Sequence, residues 1–143
     1  MGCSSRCAKS EEAAANLENE LVKLKAMEPD YVSVTFGAGG STRTGSIELV
    51  DKLKNLYGFE VVAYIAGVGL APDQLCEVLD RYRDLGIETM FVVRGDAPTW
   101  DDSYQPHPDA LSHASDMITF ISDRYDFCLG AAGYPEGHQE SEN

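Results

Sequence analysis

Three stretches of this sequence carry residue types that could do chemistry. The first is Arg94-Gly95-Asp96, which follows the apolar run Thr89 to Val93 with no polar spacer. Opposite charges at the end of a buried strand suit ligand contact, with a fixed charge on each side of a glycine. Gly95 between them allows a ligand close to the backbone. A structural ion pair is the competing reading. The second stretch is Gly37-Ala38-Gly39-Gly40, whose amides could meet a phosphate, or which could be a tight turn needing positive φ. It is neither a dinucleotide fingerprint nor a P-loop, because no Gly-Lys-Ser/Thr follows. The third is Gly133-Tyr134-Pro135-Glu136-Gly137-His138, where His138 is either a ligand contact or an exposed loop residue.

Composition narrows the classes. A formal charge of -13 opposes binding to nucleic acid backbones, which needs clustered positive charge. A phosphorylated cofactor remains compatible, because backbone N–H groups can hold an anion in an acidic protein. No two His or Cys residues have metal-ligand spacing, so no metal is expected. Cys3, Cys7, Cys76 and Cys128 form no compact disulfide framework, which points to a reducing, cytoplasmic compartment. Cys76 and Cys128 fall within helix and strand patterns, where cysteine acts as a small buried hydrophobe. No apolar run is long enough for a transmembrane helix, and no secretory signal is visible.

The elements that would position these stretches follow from periodicity. Residues 1–10, small and polar, read as a disordered leader, and 11–143 as one domain. Met1-Gly2-Cys3 hints at lipidation, but Arg6 stands where that pattern wants Ser or Thr. Leu17, Leu21, Leu24 and Met27 predict a helix from Glu11 to Met27, with Ser10 as its N-cap and Glu28-Pro29-Asp30 as its stop. Tyr31 to Phe36 is a predicted strand. A helix from about Thr44 to Tyr57 follows, with Ile47, Val50, Leu53 and Tyr57 inward and Gly58 beyond its end. Val61 to Ala66 is the next strand, and a helix opened by Pro72 and Asp73 buries Leu75, Val78, Leu79 and Tyr82. After the strand Thr89 to Val93 come a polar loop containing His107, a helix near Ala110 to Arg124 and a last strand, Phe127 to Ala132.

Strand starts recur about every thirty residues, the length of a βα unit, so the strands are expected to be parallel with right-handed crossovers. The run Thr89 to Val93, apolar on both faces, predicts a sheet covered on both sides. All four strands run into Gly-containing turns at one end. In an open doubly wound sheet only the switch-point turns carry function, whereas in an eight-stranded barrel all of them can. The expected fold is therefore α/β of the (βα)₈ TIM-barrel type, here an incomplete barrel of about four parallel strands with flanking helices.

Four collinear motifs sharpen this. PDYVSVTFGAGGSTR, LDRYRDLGIETMFVVRGDAP, HASDMITFI and FCLGAAGYPEGH together resemble the methylenetetrahydrofolate reductase family, from about Asn16 to Ser141. The resemblance implies a barrel with noncovalent FAD that passes a hydride from NAD(P)H to 5,10-methylenetetrahydrofolate, giving 5-methyltetrahydrofolate for methionine metabolism. It implies that Thr35, Phe36 and Ala38 meet the flavin ring, and that Arg94, Gly95 and Asp96 contact FAD. Asp96 would serve as the catalytic carboxylate beside the flavin and the cationic folate. Ala114 would be a helix-start contact, and Ala132, Tyr134 and His138 contacts to the ribityl, phosphate and adenosine portions. Tyr64 replaces a flavin-contacting family His, and Phe36 and His113 stand where Tyr is common.

The family's first-strand glutamate, which assists proton transfer to the folate, has no counterpart in MGCSSRCAKS. The resemblance covers strands two to five of eight, and without that glutamate negligible folate reduction with residual flavin affinity is expected. The alternative reading is a truncated, catalytically inactive flavin-binding or assembly module. Open sheet edges as apolar as VVAYIA and FCLGAA lead either reading to a homo-oligomer or to association with the remaining barrel strands.

Overall fold

The computed structural model describes residues 4–35, 40–95 and 105–137. Its elements are α1 (Ser4–Ala26), β1 (Val32–Val34), α2 (Gly40–Asp51), β2 (Val61–Ala66), α3 (Pro72–Asp84), β3 (Thr89–Val93), α4 (Ala114–Ser122) and β4 (Cys128–Ala131). α2 runs on into a π-helical turn, Lys52–Leu56.

The four strands form one parallel sheet in the order β1-β2-β3-β4. Strand order equal to chain order decides the architecture. With every crossover of one hand, the connecting helices all fall on the same face and the sheet has no switch point. This is the winding of a barrel, and the four strands are an arc of one.

Alternation of burial agrees. Val61, Ala63 and Ile65 of β2, and Met90 and Val92 of β3, face the helices and are buried. They pack with Val50 and Leu53, with Leu75, Leu79 and Tyr82 of α3, and with Met117 and Ile121 of α4. Val62, Tyr64, Thr89, Phe91 and Val93 face the other way and are half-buried. The expectation of a sheet covered on both sides is thus corrected: helices cover one face, and the apolar residues on the other form the inner face of the arc.

The α3 stripe Leu75, Val78, Leu79, Tyr82 is buried as its spacing predicts. Gly58 and Gly86 follow their helices at φ +67° and +76°, the left-handed conformation that glycine adopts without strain. Other expectations change. α1 begins at Ser4, so Ser10 lies inside the helix, and residues 4–10, expected to be a disordered leader, are helical. That stretch has no Gly or Pro after Gly2, and Ala and Lys are strong helix formers. Of the stripe on α1 only Leu21 is buried, with Leu24 half-buried and Leu17 and Met27 exposed; α1 is tied to the π-helical turn by Glu18–Lys52 and to Gly58 O by Lys25.

β1 is shorter than Tyr31 to Phe36, and Phe36 lies outside the described residues. β4 likewise spans less than Phe127 to Ala132. Among the described residues both are edge strands with one partner. α4 starts at Ala114 rather than Ala110, because His113 is extended (φ -130°, ψ 156°) and caps the helix. Its N–H donates to Asp116 Oδ2 at 3.2 Å, half of a capping box. Cys128, expected to be buried, is exposed, since its register with Thr89 puts it on the inner face of an edge strand. Among the described residues, no helix is long and apolar enough to cross a membrane.

Candidate active site

Parallel pairing brings the carboxyl ends of all four strands to one edge of the sheet. Two of the turns there are locked together. The ladder between β2 and β3 continues beyond both strands, with Gly67 N–H donating to Val93 O at 3.3 Å and Val68 N–H to Arg94 O at 2.8 Å. Gly95 adopts φ +81°, and a Cβ on it would stand 3.0 Å from Ala66 Cβ and 3.1 Å from Val68 Cγ1. This position therefore requires glycine for both its backbone angle and its packing.

Above these turns lies a cavity of about 490 Å³. Val68, Gly69, Arg94 and Gly95 line it from the turns, and His107 and Ser112 from the segment that leads into α4. Among the described lining residues, Arg94 is the one with a permanent charge. The cavity therefore has a cation at one wall and exposed backbone beside it, a chemistry suited to an anionic ligand group.

Sheet register orders a second part of the site. Tyr64 pairs with Phe91, and Phe91 with Gly130. Val34 pairs with Ala63, so the same register continued by one residue sets Thr35 beside Tyr64. Thr35, Tyr64, Phe91 and Gly130 thus form one row across the inner face. The Tyr64 and Phe91 rings have centroids 4.9 Å apart at an interplanar angle of 37°. Continuing the β3–β4 register by one residue sets Ala132 beside Val93, one row nearer the carboxyl edge.

Behind the sheet, the buried Tyr82 hydroxyl donates to Tyr64 O at 3.4 Å and fixes β2 from the helix side. Burial pushes the Tyr82 phenol up to about 12. The Tyr125 phenol, which donates to Asp80 Oδ1 at 3.0 Å and to Cys76 O at 3.4 Å, is also raised, chiefly by burial. It joins the end of α4 to α3, remote from the cavity.

The sequence-predicted residues thus divide. Arg94 and Gly95 line the cavity, and Thr35 and Tyr64 share the inner-face row. Ala114 is the first residue of α4 and packs against the core, while Ala132 and Tyr134 are exposed beyond β4. Tyr134 O accepts from Gly137 N–H at 2.9 Å in a turn. None of these three lines the cavity. Phe36, Ala38, Asp96 and His138 lie outside the described residues.

Two site residues escape sequence reasoning. His107 reads as a loop residue between prolines, yet a turn (Ala110 N–H to His107 O, 2.9 Å) returns it to the cavity. Phe91 reads as core. Its place opposite Tyr64 follows from register, which only the sheet supplies.

Comparison with known proteins assigns the lineage. The profile of the family described as methylenetetrahydrofolate reductase matches residues 6–143. The 5,10-methylenetetrahydrofolate reductase of Escherichia coli (strain K12) is 29% identical over 94% of this chain and 44% of its own length. Methylenetetrahydrofolate reductase (NADH) 1 of Zea mays is 27% identical, with 93% of this chain and 23% of that protein covered. Methylenetetrahydrofolate reductase 2 of Schizosaccharomyces pombe is 30% identical across 88% of this chain and 20% of its own length. The chain spans less than half the length of each of these relatives. With its consecutively wound parallel strands and its profile match across almost the whole sequence, the chain belongs to the methylenetetrahydrofolate reductase family.

Proposed function

We propose that residues 11–143 are a partial reductase barrel that supplies part of the flavin-binding face for reduction of 5,10-methylenetetrahydrofolate to 5-methyltetrahydrofolate. The observation that carries this reading is the pairing of Arg94 with Gly95 at the cavity wall. There a cation stands beside a glycine, and both line the cavity.

The residues present fit FAD. Arg94 would hold an anionic portion, Gly95 the close edge, and Thr35 and Tyr64 the ring, with Phe36, Ala38, Ala114, Ala132, Tyr134 and His138 as further contacts. Bound FAD supplies the capacity to accept a hydride from NAD(P)H and deliver it to the folate. Asp96, directly after Gly95, is the carboxylate in this reading; it stabilises positive charge on the substrate and is the catalytic residue. A cytoplasmic setting and a role in one-carbon and methionine metabolism accompany this function. The test is FAD titration of the purified chain, read by flavin fluorescence and by a flavin spectrum that survives desalting. Loss of binding in Arg94→Gln, with the fold retained, supports the reading; a wild-type chain that takes up no flavin refutes it.

A second reading is favoured by the sheet edges. Among the described residues β1 and β4 each pair on one side only, and the inner face leaves Tyr64 and Phe91 half-exposed. Such edges recruit further strands. On this reading the chain is a catalytically inactive flavin-binding or assembly module, completed by a second copy or by the remaining barrel strands. Light scattering on the 143-residue chain decides it: a stable monomer at all concentrations eliminates self-assembly.

A further inference from the structure

We propose that Phe91 is a positioning residue, which fixes the ring of Tyr64 and through it the flat ring system bound at the inner face. The proposal rests on the flavin reading above and adds to it a residue that makes this chain's version of the site.

Three observations carry it. First, Tyr64 and Phe91 are direct register partners with ring centroids 4.9 Å apart, so each restricts the other's rotamers. Second, the sheet leaves space for Phe91. Its partner on β4 is Gly130, and a Cβ there would stand 3.1 Å from Phe91 Cδ2. The ring occupies the place that a side chain at 130 would take. Third, Tyr64 is held from behind by Tyr82, so its backbone is fixed while its ring leans on Phe91.

Both rings are half-buried on the face away from the helices, and Tyr64 also packs against the core. An aromatic pair in that position offers an adjacent ligand two π surfaces at fixed tilt, and Thr35 adds a hydroxyl at the end of the same row. Phe91 acts through Tyr64: without it the Tyr64 ring gains rotamers, and a bound ring loses its reference surface.

The test uses the 143-residue chain, with FAD as the probe and two readouts, fluorescence quenching for affinity and visible circular dichroism for ring orientation. Phe91→Leu is expected to weaken FAD binding about tenfold and to abolish the induced dichroism. Phe91→Tyr, which keeps the ring, is expected to restore both. Gly130→Ala leaves Phe91 in the chain but crowds its ring and pushes it from its place, and is expected to reproduce the loss. Unchanged affinity and dichroism in either Phe91→Leu or Gly130→Ala would overturn the proposal while leaving the flavin reading intact. A wild-type chain that binds no FAD overturns the flavin reading and the role of Phe91 in it together.

Discussion

Gly67, at the end of β2, lies beneath Met117 of α4: a Cβ built on the glycine would collide with the methionine sulfur and stand 2.6 Å from its Cε. Met117 is fully buried, so its flexible end has to shift within the core to make room. This contact fixes how closely α4 approaches the turn that walls the cavity, and so ties core packing to the site.

Gly67→Ala is therefore expected to destabilise the fold by about 1–3 kcal/mol through overpacking. Chemical denaturation measures it. Because the two side chains compete for one space, the change combined with Met117→Ala should cost less than the sum of the single changes. Additive effects would show that the contact relaxes freely.

Gly95→Ala places a side chain where φ is +81° and where Ala66 and Val68 already stand. A loss of about 1–3 kcal/mol is expected from the strained backbone conformation. In the flavin reading this variant also loses FAD affinity, since the turn moves away from the cavity wall. Retained affinity with lowered stability would separate the two roles of the glycine.

Tyr82 makes stability fall in alkali. Below pH 10 the phenol keeps its proton in both folded and unfolded chains. Between 10 and about 12 the unfolded chain ionises first, because burial raises the folded value. Unfolding is then favoured, by on the order of 2–3 kcal/mol once pH exceeds both values. Tyr82→Phe should remove much of this slope, at a cost of about 1 kcal/mol near neutrality for the hydrogen bond to Tyr64. Denaturant midpoints from pH 8 to 12 test the crossing of the two curves; parallel curves would contradict the assignment (these pH limits are roughly the span of the phenol range).

Leu21 is the buried anchor of α1, and Leu21→Ala should cost about 2–5 kcal/mol. Glu18 and Lys52 also join α1 to the π-helical turn at 2.7 Å, and the hydrogen bond that Lys52 donates to Glu18 raises the lysine pKa. That pair is half-exposed, so Glu18→Gln should lower Tm less than Leu21→Ala, and the Glu18→Gln effect should vanish in high salt. A Glu18→Gln effect that persists in high salt would point to burial of the pair in solution.

The sequence by itself determined which elements form and in what order. Apolar periodicity in Leu75, Val78, Leu79 and Tyr82 predicts a buried helix face, and the run Val61 to Ala66 matches β2 residue for residue. Both signals are local, set by a repeat that matches the geometry of the element. The Arg94-Gly95 pair was also visible, because charge after an apolar run stands out in any single chain.

Tertiary structure alone decided the rest. The identity of strand order and chain order puts all helices on one face, so β3 has a buried side and a half-buried side that its composition does not distinguish. Register, which depends on how strands distant in sequence pair, set Phe91 between Tyr64 and Gly130. Chain reversal at His107 brought a loop residue back to the cavity. Periodicity reports which side of an element is apolar; only the assembled sheet fixes what that side meets.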